Sequence, residues 1–69
     1  MRKVKLYNTA QIATALELGF KVHWSNDGYE VIADSTCLLG YGVKCIDNDY
    51  YTPLTYNDMR NVYTYELSV

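Results

Sequence analysis

Residues 3–34 read KVKLYNTAQIATALELGFKVHWSNDGYEVIAD, and the hydrophobic period in this stretch changes from strand-like to helix-like and back again. From Lys3 to Tyr7, Val4 and Leu6 fall on one side and Lys3 and Lys5 on the other, the pattern of a half-buried strand. Asn8 stands where a helix N-cap belongs. Its side chain can accept from the amide of Gln11, Gln11 can reach back, and Tyr7 can pack on Ile12 as a hydrophobic staple. Good helix formers carry the turn from Thr9 to Leu18, with Ile12, Ala13, Ala15 and Leu16 as the apolar stripe. Gly19 supplies the left-handed C-terminal residue, and Phe20 is placed to fold back on the last turn.

Beyond the helix, Phe20, Val22 and Trp24 alternate with Lys21 and His23, and Tyr29, Val31 and Ala33 alternate with Glu30, Ile32 and Asp34. Between them Asp27-Gly28 carries a hairpin turn signal. A loop of two or four residues keeps the apolar side chains on one face, with Trp24 opposite Val31 or Tyr29. A three-residue loop mixes the faces and is rejected.

Outward from this β-α-β-β start the pattern is looser. Residues 35–42 hold Gly40 and Gly42 and read as a loop with Leu38 and Leu39 tucked beneath it. A short strand is expected at 43–46, a turn at Asp47-Asn48-Asp49, and a return strand at 50–54 that Pro53 either confines to a sheet edge or ends. Thr55 and Asp58 have capping-box spacing, so residues 56–61 are expected to form one helical turn. In residues 62–69, Tyr63, Tyr65, Leu67 and Val69 share one face and Val62, Thr64, Glu66 and Ser68 the other, a strand pattern. The fold class is therefore α+β: one main helix over about residues 9–18, packed on a mostly antiparallel sheet of four to six short strands.

The chain of 69 residues is read as one domain, and a domain of this size buries only about 60% of its unfolded surface. No apolar run is long enough to span a bilayer. Arg2, Lys3 and Lys5 are not followed by the apolar stretch of about 7–15 residues that marks a secretory signal, so a cytoplasmic location is expected. Cys37 and Cys45 are accordingly read as reduced, packed thiols. The net charge of −2 hides a gradient. Arg2, Lys3, Lys5 and Lys21 oppose only Glu17 in the first third, whereas Asp47, Asp49, Asp58 and Glu66 oppose only Arg60 after residue 45.

Nothing in the sequence amounts to catalytic, metal or cofactor chemistry. His23 is the single histidine, and alternation puts it on the solvent side of the hairpin. Cys37 and Cys45 lack the spacing of a zinc knuckle. Neither has an evident base to activate it. Asp47 and Asp49 are turn residues too close together to serve as an acid and base with separated pKa values. Gly40-Tyr41-Gly42 lacks the rest of a dinucleotide fingerprint.

The unusual feature is tyrosine, with eight against one phenylalanine. Tyr50, Tyr51, Tyr56, Tyr63 and Tyr65 fall in the last twenty residues, interleaved with Asp47, Asp49 and Asp58. Rigid amphipathic rings among short polar groups are typical of recognition surfaces. These eight residues are the candidate contact set, weighed against the alternative that tyrosine simply lines a half-exposed sheet.

The expected function is a non-enzymatic protein-binding module that docks an acidic, tyrosine-rich face on a basic surface. Small size, acidity and lack of motifs are shared with accessory proteins of phages and mobile elements that inhibit a host nucleic-acid-handling or defence protein. The alternative is single-stranded nucleic-acid binding, with tyrosines stacking on bases and Arg2, Lys3, Lys5, Lys21 and Lys44 meeting phosphates. The acidity of the tyrosine-rich half opposes it. A homodimer through the C-terminal strand is also expected to be accessible to so small a core.

Overall fold

A computed structural model describes residues 2–66. Its elements run β1 (Arg2–Lys5), α1 (Thr9–Glu17), β2 (Val22–Trp24), β3 (Asn26–Ala33), β4 (Tyr41–Cys45), β5 (Tyr51–Pro53), a 3-10 turn (Asn57–Asn61) and β6 (Val62–Glu66). Every strand pairing among the described residues is antiparallel, and the order across the sheet is β1-β6-β2-β3-β4-β5. One helix and a six-stranded antiparallel sheet make the α+β fold that the hydrophobic periods predict.

The helix is bounded where its sequence says it should be. Asn8 accepts from the Gln11 amide at 2.9 Å, and the Gln11 side chain accepts from the Tyr7 amide at 2.6 Å, so the reciprocal cap closes one residue earlier than a standard box. At the other end Gly19 takes φ 86°. Its amide reaches the Leu16 carbonyl at 3.1 Å while that of Phe20 reaches Ala15 at 3.0 Å, a Schellman closure. Tyr7 remains 68% exposed, so it does not staple onto Ile12, which is fully buried by the sheet instead.

Two rows of residues cross all six strands and define the two faces. Val4, Thr64, Val22, Val31, Val43 and Thr52 are aligned from β1 to β5. This row faces α1 and supplies much of the core with Ile12, Ala15, Leu54 and Val62, while Phe20, Trp24 and Met59 pack at its margins. Full burial of each such aliphatic side chain contributes about 1.5–3 kcal/mol. Thr64 is tolerated on this side because its hydroxyl donates to the Lys21 carbonyl at 2.6 Å. The neighbouring row, Lys5, Tyr63, His23, Glu30, Lys44 and Tyr51, lies on the opposite face.

The hairpin departs from expectation at its turn. Val22 pairs with Val31 and His23 with Glu30, the register of the four-residue loop, but Trp24 pairs with Asn26 rather than Tyr29. The reversal is at Ser25 (φ 67°), and residues 27–29 bulge from β3. Gly28 does not adopt positive φ, so Asp27-Gly28 is not the turn. The Ser25 amide is taken by the Asn61 carbonyl at 2.9 Å, and the Asn26 side chain accepts from Gly28 at 2.8 Å. These local bonds stabilise a tighter reversal than the Asp-Gly signal implies.

Elsewhere the corrections are smaller. The glycine-bearing segment is partly strand, since β4 begins at Tyr41. Leu39 packs on the core, but Leu38 is 92% exposed rather than tucked under the loop. Pro53 sits on the edge strand β5 as expected. Thr55 donates to the Asp58 carboxylate from its amide at 3.0 Å and its hydroxyl at 2.9 Å, and the turn that follows is 3-10. β6 lies between β1, which pairs with residues 63–66, and β2, which pairs with residues 62–64, so it is an inner strand and not a sheet edge offered to a second copy. Leu67, Ser68 and Val69 of the expected strand lie outside the described residues.

Two substitutions test the helix boundaries. Asn8→Ala is expected to cost about 1 kcal/mol by removing the cap. Gly19→Ala should cost about 1 kcal/mol through backbone conformation alone, because a Cβ there meets nothing within 4 Å. Urea denaturation of each variant measures both.

Candidate functional site

Sheet order decides which tyrosines can act together. Tyr63 and Tyr65 lie on β6, Tyr50 and Tyr51 beside or on β5, and β2, β3 and β4 stand between. At strand spacing this separates the two pairs by about 19 Å. Tyr56 and Asp58 belong to the segment between β5 and β6, where the Asp58 carboxylate is engaged by Thr55. The eight candidate residues therefore do not form one surface.

The β6 pair is built into the fold. Because Tyr63 pairs with His23 and both neighbour the bulge of β3, the Asp27 carboxylate receives the Tyr63 hydroxyl and also that of Tyr65 at 2.9 Å. Tyr63 is only 5% exposed. The ring centroids of His23 lie 5.5 Å from Tyr63 and 5.9 Å from Tyr65, and the Lys3 ammonium sits 4.1 Å from the Tyr63 ring centre. His23, expected on a solvent-facing strand, is thus buried at 7% exposure by two tyrosine rings. Its Nδ1 lies 3.0 Å from the Tyr29 carbonyl, which can only accept, so this nitrogen carries the proton.

The electrostatics follow the same bonds. The hydroxyls of Tyr63 and Tyr65 hold the Asp27 carboxyl below the usual carboxylate range. Burial first, and then Asp27, push the Tyr63 phenol up; Asp27 does the same to Tyr65.

The β4–β5 end is different, because its rings remain available. Asp47, Asn48 and Asp49 form the connection between β4 and β5, with Asn48 accepting from the Tyr50 amide at 2.7 Å. Beside them Glu30, Lys44, Ile46, Asp49, Tyr50 and Tyr51 line a shallow concavity of about 370 Å³. Tyr50 is 52% exposed, and one edge of its contact is a T-shaped approach to Tyr29 with centroids 6.1 Å apart. Tyr51 is anchored through its hydroxyl, which donates to Asp34 and lies 3.4 Å from Cys37 Sγ. Asp34, bonded by Thr36 at 2.6 Å and then by Tyr51, is held far below the usual carboxylate range, and it raises the Tyr51 phenol in turn. Gly42 makes this placement possible, because a Cβ there would occupy the space of the Tyr51 phenol.

Sequence patterning misses His23, Asp27 and Asp34 as organising residues. Alternation gives the face of His23 correctly, but what covers that face depends on a strand forty residues away. Cys37 and Cys45 are not bridged. Among the described residues no group of three or more His, Cys, Asp and Glu side chains is placed to hold a metal ion. No helix among them is long and apolar enough to cross a membrane.

The carboxyl shifts fix a pH dependence. Asp27 and Asp34 have folded pKa values below their unfolded ones, so their stabilisation is complete above about pH 4 and is lost as pH falls through the folded values. Thermal midpoints measured across the acid range should fall below about pH 4, and Asp27→Asn should flatten that limb while lowering stability at neutral pH. An acid limb identical in the variant would show that the two tyrosine hydroxyls do not favour the ionised carboxyl. No protein-family model, curated protein or solved structure matches this chain.

Proposed function

We propose that this chain is a non-enzymatic protein-binding module that presents the β4–β5 end of its sheet to a basic surface of a partner. The observation that carries the reading is the concavity in which exposed Tyr50 and Tyr51 rings and Ile46 stand beside Asp49, with Asp47 on the adjoining turn. Aromatic rings held on a sheet edge lose little entropy on docking, and carboxylates beside them steer a cationic partner. Tyr51 is pre-oriented by Asp34, which further reduces the ordering required.

The contact set is narrower than the sequence implies. Tyr63 and Tyr65 leave it because their hydroxyls serve Asp27, and Asp58 leaves it because it caps the turn at Thr55. A basic surface that normally holds nucleic acid has the charge to meet such a patch, which keeps the inhibitor reading of the sequence as the form of this proposal. In the single-strand stacking alternative, Tyr63 at 5% exposure offers no face to a base, and stacking would fall to the exposed rings of Tyr50, Tyr51 and Tyr56.

The test is affinity capture from the native host with tagged wild-type protein and with Asp47→Asn/Asp49→Asn/Tyr50→Ala. The triple variant is expected to lose the specifically retained protein and its salt sensitivity, with a thermal midpoint close to wild type. Retention unchanged by all three substitutions would remove this surface from the account.

A further inference from the structure

At the opposite end of the sheet, residues distant in sequence form a second concavity of about 360 Å³, whose lining includes Lys3, Lys5, Ser25, Arg60, Asn61 and Tyr63. We infer that this cleft binds a phosphoryl oxyanion. The inference is independent of the protein-binding reading, which concerns the other end of the sheet.

Three of the chain's six Lys and Arg residues line this one cleft, and no Asp or Glu does. They converge because β1 pairs with β6 and the 3-10 turn leads directly into β6. The lysines are already positioned by contacts with uncharged partners. The Lys3 ammonium rests 4.1 Å from the Tyr63 ring centre, and that of Lys5 donates to the Arg60 carbonyl. An ammonium has three N–H donors and a guanidinium five, so each retains donors for a ligand. Asp27, held ionised by Tyr63 and Tyr65, offsets part of the Lys3 charge from outside the lining, so three cations face one nearby carboxylate. The cleft keeps a surplus of positive charge.

A tetrahedral oxyanion suits this arrangement better than a carboxylate. Arg60 alone can satisfy a planar carboxylate through a bidentate pair, whereas donors arriving from β1 and from the 3-10 turn call for acceptors pointing in several directions. Ser25 and Asn61, which also line the cleft, bring a hydroxyl and a carboxamide as further neutral donors. The Ser25 backbone amide is committed to the Asn61 carbonyl at 2.9 Å, which fixes that part of the lining rather than the ligand.

The test is a two-dimensional amide NMR titration with sodium phosphate, with sodium chloride holding ionic strength constant, and a parallel titration with a short oligothymidylate that carries only phosphodiesters. Saturable shifts centred on Ser25, Asn61 and Tyr63 are expected. Lys5→Gln/Arg60→Gln should weaken the apparent affinity about tenfold or more, Arg60→Gln alone should weaken it less, and Lys21→Gln, which removes the same single charge outside the cleft, should leave it unchanged. Response to inorganic phosphate alone assigns a free or terminal phosphoryl group, and response at the same amides to the oligonucleotide assigns a backbone phosphodiester. Shifts that match those of chloride alone, centre elsewhere, or persist in a folded double variant would overturn the site.

Discussion

The placement of β6 between β1 and β2 governs the rest of the molecule. β1 and β2, joined through α1, both run antiparallel to β6 and therefore parallel to each other, and they leave a slot one strand wide that the C-terminal segment fills. Filling it buries Val62 and Thr64 against the helix layer and Tyr63 on the reverse side. Thr64 then gives its hydroxyl to Lys21 and Tyr63 gives its own to Asp27, so the last strand is fastened on both faces. A strand held by two ladders and two side-chain bonds needs no second copy of the chain to satisfy its edges.

That slot also explains which features sequence patterning could reach. The cap at Asn8, the closure at Gly19, the alternation on either side of Ser25 and the edge position of Pro53 are local, each decided by residues within one turn or one hairpin. The faces of His23, Tyr63 and Tyr65 were legible too, as parity along their strands. Their burial was not, because it depends on a pairing between residues 23 and 63 that no local period encodes. The bulge at Asp27 was hidden for a related reason. Asp-Gly is the stronger hairpin signal taken alone, but Ser25 is held by Asn61, a partner from the other end of the chain.

The same topology gathers three cations at one end of the sheet and two turn carboxylates at the other, although Glu66 lies opposite Arg2 and Lys44 lines the β4–β5 concavity. Lys3 and Lys5 come from the basic beginning, and Arg60, the lone cation of the acidic end, joins them because the 3-10 turn precedes β6. Asp47 and Asp49 stay on the connection between β4 and β5 at the far end. Tyrosine is divided along the same axis. At the β6 end its hydroxyls organise a carboxylate and its rings cover a histidine, while at the β5 end Tyr51 is tethered by Asp34 and Tyr50 keeps an open ring. One residue type thus serves structure at one end and supplies a candidate contact surface at the other.

The most direct test of this account is the pattern of interstrand proton contacts around Thr64 in a three-dimensional NOESY spectrum. The sheet order requires Thr64 backbone protons to show cross-strand contacts to both Val4 and Val22. Contacts to only one of them would put β6 on an edge, and the division of the tyrosines between two ends of the sheet would be wrong.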